Sequence, residues 1–477
     1  MVKNCTEVIV GENSEQETFV SANETIVLKR SGNLPFYFIQ GRLTRATTKA
    51  LETQLSFIVK GYEYSEQYQT GEWNGKECLL YTTRQNNLRY FPAGLLDRAR
   101  GILDDFGVDY SVEGPKGREL SQVDLDWVSD KVLYPDQQEA FQVAISEEFG
   151  TICMPTGTGK TLVALALIDA FKTKTLIVVH RRELVKQWVD AIRETFDYEA
   201  GVVGSGKTDW KDITVAMVQT LYKRKEPLPH FDMLQIDEAH HCPARSAYKI
   251  AMRCNASIRF GFSATPKRAD GAELKMFAAV GEIIYESRPE GAIKKGRIVQ
   301  PDFRFVETSH PRFIHQGMPF HEVYTLGITA NEDRNEKVAF QAKKLLQEGH
   351  TVYIHVEEIA HGKWIAGHLP GCVFVCGTDN KTFRDQAIKD FSNGTTKILC
   401  STLLGEGVNI PSITAIIMAG GKKSETGCIQ KIGRALRTLP GKTSAVVVDF
   451  KDKGAYLSDH WQERYATYKK FYGSYCP

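Results

Sequence analysis

Met154-Pro155-Thr156-Gly157-Thr158-Gly159-Lys160-Thr161 is the stretch whose reading decides the fold. It follows a short apolar run, Thr151-Ile152-Cys153, and precedes Leu162-Val163-Ala164-Leu165-Ala166-Leu167-Ile168, a run of helical composition. Strand, glycine turn and helix in that order is the context in which such a turn cradles phosphate. Gly157 and Gly159 let the backbone curl so that successive N–H groups face an anion. The helix that begins there points its positive end at the same place. Lys160 is then set to reach β- and γ-phosphates, and the Thr161 hydroxyl suits a Mg²⁺ ligand. Thr156, Gly157, Thr158, Gly159, Lys160 and Thr161 together make the expected nucleotide cradle. A chance glycine turn would need neither the buried run before it nor the apolar helix after it.

Working outward, the region from residue 133 to about 286 alternates apolar runs with helical spacing. Strands are expected at 151–154, 176–179, 213–217, 233–236, 258–262 and 283–285. Alternation of this kind implies a parallel sheet covered on both faces. A second set follows at 352–356, 373–376, 397–400, 415–418 and 445–448. Two α/β units in tandem, only the first with a phosphate loop, place a nucleotide in the cleft between them. Residues 308–320 lack periodicity and are expected to be loop, and 461–472 has the aromatic spacing of a helix that packs on a neighbour.

Ahead of these, residues 1–115 read as a separate small α+β unit. Strands are expected at 26–28 and 36–39, joined by a turn at Ser31-Gly32-Asn33, with a helix over 44–55. Two strand-like runs are expected to flank Gly71-Glu72-Trp73-Asn74-Gly75-Lys76. A helix over 93–106 ends at Gly107, and 108–112 can pair back into the sheet. Gly114-Pro115-Lys116-Gly117 marks a boundary. The expected division is therefore 1–115, a linker over 116–132, a first motor unit over 133–292 and a second over 293–477.

The 477 residues exceed one domain and suit three. With 42% hydrophobic and 25% charged residues the composition is that of soluble globular protein. No apolar run approaches a membrane span, and an N-terminus carrying Glu7, Glu12, Glu15 and Glu17 is not a signal peptide. The ten cysteines form no Cys-x-x-Cys pair and read as reduced thiols of a cytoplasmic protein. A net charge of +2 does not announce a nucleic-acid binder, but basic residues cluster at Arg181-Arg182, Lys223-Arg224-Lys225, Lys294-Lys295 with Arg297, and Lys422-Lys423, each of which taken alone reads as solvated surface. A groove can be basic while the whole is near neutral.

Asp237-Glu238-Ala239-His240-His241 follows the apolar run Met233-Leu234-Gln235-Ile236. Acids at the carboxyl end of a parallel strand lie where the phosphate loop also opens. Asp237 is placed to hold Mg²⁺, and Glu238 to orient and deprotonate a water. Gln430, Gly433, Arg434 and Arg437 fall at i, i+3, i+4 and i+7, so two guanidinium groups and an amide share one helix face. An arginine supplied across a cleft to a γ-phosphate stabilises the charge of the transition state. Gln137, or equally Gln138, could read adenine through both ends of its amide. Ser263-Ala264-Thr265-Pro266 follows another strand and would link the two halves.

These strings, in this order across residues 133 to 450, resemble superfamily 2 helicases, in which a Pro-Thr-Gly-Thr-Gly-Lys-Thr loop stands without the first glycine of the usual pattern. They are most similar to the XPB-like branch. Arg268-Ala269-Asp270-Gly271 stands where that branch has Arg-Glu-Asp, so the middle acid is missing, and Gly407-Val408-Asn409-Ile410-Pro411 has Asn for the usual Asp. Gly71 to Lys76, the segment His355-Val356 to His361-Gly362-Lys363, and Gly420 through Arg437 resemble phage branch-migration helicases of the UvsW kind. The resemblance implies an α/β fold, two tandem RecA-like parallel-sheet domains with a small α+β N-terminal domain. It also implies ATP and Mg²⁺ as cofactors, Lys160, Asp237, Glu238, Gln430, Arg434 and Arg437 as the catalytic set, and Gly407 beside the nucleotide. Its expected substrate is branched double-stranded and single-stranded DNA, handled by a monomer in a host cytoplasm, beside phage recombination or replication proteins.

The nucleic-acid contacts implied by the resemblance are Arg181 and Gln187, Gln219 and Thr220, and Thr402, groups that grip phosphates without reading bases. Gln219 and Thr220 equally suit a helix cap. Trp73, with Lys76 beside it, could stack on an exposed base or be a core residue of the small sheet. The rival readings are another superfamily 2 motor, on RNA or of the restriction type, and a DNA-binding scaffold with an inactive motor. The intact loop, acids and arginines weigh against the scaffold.

Overall fold

The structure, a computed structural model, describes residues 25–32, 34–114, 120–242, 245–265, 272–403, 410 and 412–477. The strand that feeds the phosphate loop, Phe149–Cys153, lies inside an eight-stranded sheet, between Ile258–Ser263 and Ile283–Glu286. The sheet continues through Met233–Asp237, Thr175–Val179, Ile213–Met217 and Gly201–Gly204, all parallel, and ends in the antiparallel Lys207–Thr208. Because helices cover both faces, its strands need apolar residues at every position, and Thr175–Val179 is buried throughout. The helix Lys160–Phe171 starts directly after Gly159, whose φ of +84° only glycine adopts without cost. Val163 to Ile168 are all buried, so the helix is fixed against the sheet and aims its first turn at the loop.

The second sheet has six strands, all parallel, in the order Gln300–Glu307, Ser444–Lys451, Ala415–Met418, Val352–His355, Ile398–Ser401 and Cys372–Val375. Among the described residues it carries no phosphate loop. Two strands escape the apolar pattern for physical reasons. Gln300–Glu307 interleaves polar with apolar residues because it is an edge strand, and Gly201–Gly204 is short and bounded by glycine. The helix Leu457–Tyr472 packs on that edge through aromatic contacts, Phe303 with Tyr468 at 5.1 Å and Phe305 with Trp461 at 5.0 Å. Between them the buried Arg464 pairs with Asp449 at 2.8 Å. Ala292, in the helix Pro289–Lys294, belongs to this second core, so the chain crosses between the motor units ahead of that helix.

The N-terminal unit is a five-stranded sheet in the order Tyr81–Thr82, Arg89–Pro92, Phe36–Gln40, Ile26–Arg30 and Tyr110–Glu113. The last strand pairs parallel to Ile26–Arg30, as a return strand must after the helix Leu96–Asp105. The run before Gly71 is not a strand. Gly61 takes a left-handed conformation, Tyr62–Tyr64 forms a 3₁₀ turn, and Ser65 caps the short helix Glu66–Gln69 by accepting from Tyr68 N at 3.3 Å. Only Ser56–Ile58 and Lys76–Cys78 pair around this knob.

The unit does not stand apart. Its buried residues Phe91, Ala93 and Leu95 form one continuous core with Phe277, Ala278 and Val280 of the first motor unit. Gly94 lies against the carbonyl of Phe277, where a Cβ would collide. Arg30 donates to Glu148 at 2.9 Å and to the Ser257 carbonyl at 3.1 Å, and Arg98 pairs with Glu282 at 2.8 Å. The segment expected as a linker is also packed where it is described. Val123 and Leu125 are buried on the first motor unit, and Ser121 N donates to Asp232 at 3.1 Å. No helix among the described residues is long and apolar enough to cross a membrane.

Candidate nucleotide site and nucleic-acid face

The phosphate loop is held from within and from below. Thr158 Oγ1 donates to the Pro155 carbonyl at 2.8 Å, and Gly157 and Gly159 have φ of +90° and +84°. Lys160 Nζ folds back to the carbonyls of Met154 at 3.1 Å and Pro155 at 3.4 Å, which parks the ammonium over the loop. Gln137 is buried beneath it. Its Nε2 donates to the Thr158 carbonyl at 2.8 Å, and its Oε1 accepts from Tyr134 N at 2.9 Å. Both ends of that amide are engaged inside the protein, so Gln137 tethers the loop to the N-terminus of the helix Pro135–Ile145.

Asp237 ends its strand, and Glu238 follows with a φ of +49°, a left-handed turn that costs a non-glycine residue energy. Asp237 Oδ1 accepts from Glu238 N at 3.0 Å, and Oδ2 accepts from the indole N–H of Trp188 at 2.8 Å. Burial, then the charge of Glu238, pushes the Asp237 carboxyl up to about 6, against the pull of Trp188 and Lys160. His240 stands beside Glu238, its Nδ1 3.4 Å from Glu238 Oε2 and 3.1 Å from Ser263 Oγ.

The second motor unit closes the cleft with the helix Glu425–Ala435, which carries Gln430, Gly433 and Arg434 but ends before Arg437, so Arg437 does not share the expected helix face and follows the Leu436 cap instead. Gly433 faces Thr156, where an added Cβ would stand 3.0 Å from the threonine Cβ, so a glycine permits the approach. The stem of Arg437 lies as closely over Gly157, at 3.1 Å from a built Cβ. Arg434 is 6% exposed. Burial and the adjacent Arg434 charge hold the Arg437 guanidinium down to about 10. The Gln430 amide meets His240 Nε2 at 3.4 Å, which makes that ring nitrogen the acceptor and puts the ring proton on Nδ1, facing Glu238 and Ser263. Thr265 Oγ1 meets Thr426 Oγ1 at 3.1 Å, so Ser263, Ala264 and Thr265 lie at the junction of the two units. A lysine on a glycine loop, the half-buried Arg437 laid over that loop and the buried Arg434 beside it, with the Asp237 carboxylate and the Thr161 hydroxyl of the same unit, fit a magnesium-bound polyphosphate.

Arg181, Gln187 and Gln219 are exposed, and Thr220 and Thr402 are half-buried. Arg181 caps the helix Arg182–Phe196 and Gln187 lies on it, while Gln219 reaches across to donate to the His180 carbonyl at 2.8 Å. Trp73 is half-buried in the N-terminal knob, its indole N–H donating to the Lys76 carbonyl at 2.7 Å, and Lys76 is exposed. Gly407, Pro266, Arg268 to Gly271, Asn409 and Pro411 lie outside the described residues.

Two residues of the site were not legible as such. Trp188 shares a period-four row with Leu184 and Ile192, which reads as a buried helix face and hides the use of its N–H. Arg297 sits in a basic cluster that reads as surface. In the structure its guanidinium lies 3.3 Å from the Tyr134 ring centroid and 3.4 Å from Asp136, and donates to the Thr158 carbonyl at 3.4 Å.

A phosphate loop at the carboxyl end of one parallel sheet, closed by arginines from a second across a cleft, defines a two-domain nucleotide-driven motor. Comparison with known proteins is consistent with this. Residues 130–268 match the family described as type III restriction enzyme, res subunit, and residues 338–438 match the helicase conserved C-terminal domain. The DNA 3′-5′ translocase XPB2 of Sulfurisphaera tokodaii is 27% identical over 368 residues, 69% of this chain and 83% of that protein. The ATP-dependent DNA helicase uvsW of Enterobacteria phage T4 is 24% identical over 443 residues, 85% of this chain and 87% of that protein. The S. cerevisiae Dbp5 structure bound to RNA and ADP BeF3 superposes with a TM-score of 0.52 at 16% identity, covering 71% of this chain and 87% of that one, which speaks to the fold alone. The chain is a superfamily 2 helicase of the XPB- and UvsW-like kind, and so an ATP-hydrolysing enzyme.

Proposed function

We propose that the protein is an ATP-dependent DNA helicase or translocase that remodels branched DNA, by fork regression and branch migration, in phage recombination, repair and replication restart. The observation that carries the motor reading is the packing of the segment that bears Arg434 and Arg437 against the phosphate loop of the other unit, Gly433 on Thr156 and the Arg437 stem on Gly157. Cations so placed are stabilised when a polyanion binds between them, and they couple hydrolysis to closure of the cleft. Lys160 and the loop N–H groups hold the β- and γ-phosphates, and Asp237 with Thr161 would hold Mg²⁺, which supplies charge neutralisation to the phosphoryl transfer. Glu238 orients the attacking water and accepts its proton. His240, bonded to Gln430, keeps that carboxylate in place while the two units are in contact. Arg181, Gln187, Gln219, Thr220 and Thr402 grip phosphates along the exposed side, with no sequence preference.

DNA as the substrate is supported by the relatives named as DNA motors. The branched-DNA role is supported by the alignment with the phage helicase, which spans more of this chain than the two motor units occupy. The test is the ATPase rate of the full chain with single strands, duplex, forks, four-way junctions and RNA at one salt concentration. Forks and junctions should stimulate most, and stimulation by RNA above DNA would overturn the reading.

A further inference from the structure

The nucleotide site and the proposed nucleic-acid face are joined by three imidazoles packed in a row, each tilted on the next. His180 directly precedes Arg181, and its ring centroid lies 4.3 Å from that of His241, with 42° between planes. His241 in turn lies 4.2 Å from His240, at 41°. At one end, Gln219 holds the His180 carbonyl at 2.8 Å. At the other, His240 is 4% exposed and faces Glu238 at 3.4 Å, Ser263 at 3.1 Å and Gln430 at 3.4 Å. The last ring is therefore locked among three motif residues, while the first is fastened to a strand end that carries a phosphate-gripping residue.

Rings in van der Waals contact have no slack, so a displacement of the first by tenths of an ångström is passed on rather than absorbed. We propose that His180 and His241 are positioning residues through which nucleic acid bound at Arg181 and Gln219 sets Glu238 for hydrolysis. The inference rests on the nucleic-acid reading given above. Neither His180 nor His241 is itself a member of the catalytic set, so their loss should remove transmission while Lys160, Asp237, Glu238, Arg434 and Arg437 all stay in the chain. The alternative is that the three rings merely fill space between strand ends. In that case any side chain that fits serves as well.

The experiment uses the full chain with His241→Ala, His180→Ala and His241→Phe, the last keeping a ring in the stack. Three quantities are read: ATPase rate without nucleic acid, ATPase rate with saturating oligo-dT, and oligo-dT affinity by anisotropy with and without a non-hydrolysable ATP analogue. Both alanine variants should keep the basal rate and the nucleotide-free DNA affinity within about three-fold, and lose about ten-fold of the stimulated rate. The change in DNA affinity that the analogue produces should shrink by a similar factor, because coupling is reciprocal for binding. His241→Phe should recover most of the stimulation. Unchanged stimulation in both alanine variants overturns the proposal. So does equal loss of basal and stimulated rates, a DNA affinity that falls in step with the rate, or a phenylalanine variant as poor as alanine. A wild-type protein that no nucleic acid stimulates removes the functional reading, and this inference with it.

Discussion

Arg437→Met removes a charge and keeps most of the stem that lies over Gly157, so it isolates what the guanidinium costs and what it does. Burial and Arg434 depress the Arg437 guanidinium from an ordinary 12.5 to about 10. The group is still a cation at neutral pH, so the folded chain carries the cost at every pH below about 10. At about 1.4 kcal/mol per pKa unit, that cost is about 3 kcal/mol. Setting about 1 kcal/mol against this for the polar contact the side chain gives up leaves the nucleotide-free variant about 2 kcal/mol more stable than wild type. For a unit of this size the melting temperature should rise by roughly 4–8 °C. Hydrolysis should fall about 10³-fold, because the same charge meets the transition state. A non-hydrolysable ATP analogue should then raise the melting temperature of wild type more than that of the variant. Differential scanning fluorimetry with and without the analogue, alongside steady-state ATPase, reads all three. A variant that melts lower, with normal turnover per folded molecule, would falsify the argument and return Arg437 to an ordinary surface role.

Glu238→Gln should keep nucleotide binding and lose turnover, since an amide cannot accept the water's proton; loss of binding in a nucleotide-affinity assay would count against the base assignment. Acid should loosen the second motor unit. Burial, then Lys431, holds His355 down to about 4, and burial, then Arg334, holds His361 down to about 3, both from an ordinary 6.5. The unfolded chain takes up protons there that the folded chain refuses, so stability is full above about 6.5 and falls as pH drops through the window, by about 3–4 kcal/mol between pH 7 and 5. Melts at the two pH values should show it, and His355→Asn with His361→Asn should flatten the dependence; a wild-type protein equally stable at both would refute it.

How much of this was legible in the sequence follows from the physics of each part. The phosphate loop, the two acids and the helix that carries Gln430 and Arg434 are local patterns, a turn, a strand end and a 3.6-residue period, so the elements that bear them are legible in the sequence; Arg437 departs from the expected shared helix face, because the helix ends at Ala435 and Leu436 caps it. What holds them in place is long-range. Trp188 and Asp237 are 49 residues apart, and Gln430 and His240 are 190 apart. Periodicity marks Trp188 as buried but cannot say that its N–H faces a carboxylate. Gln137 shows the converse, since its chemistry suits a base edge, yet its partners turn it toward the loop. The N-terminal unit reads as separate because its strand spacing and its Gly-Pro boundary are local signals, whereas the continuity of its core with Phe277 and Ala278 is not.

That continuity changes how branch recognition must be tested. On the proposed reading the motor units contact phosphates alone, which are the same in a junction and in plain duplex, so selectivity is expected from the N-terminal unit. Starting the chain near Lys116 would strip Phe91, Ala93 and Leu95 from a shared core and expose the face around Phe277 and Ala278. Loss of activity in such a protein would report misfolding rather than recognition. Surface charge is the cleaner perturbation. Arg42, Arg45 and Lys49 are exposed, and Arg45 and Lys49 stand one turn apart on the helix Arg45–Gln54. Changing all three to Glu leaves the core and the docking contacts of Arg30, Gly94 and Arg98 untouched. If the three cations meet phosphates, the salt dependence of junction binding should flatten by a slope of about 2–3, at about 0.9 per contact. Junction affinity at fixed salt should fall more than duplex affinity, while ATPase stimulated by single strands stays within about two-fold, since the motor units are unchanged. Binding isotherms for duplex and four-way junction at three salt concentrations decide it. A junction-to-duplex ratio equal to that of wild type, with the same salt slope, would place branch recognition in the motor units and leave the N-terminal unit as their structural support.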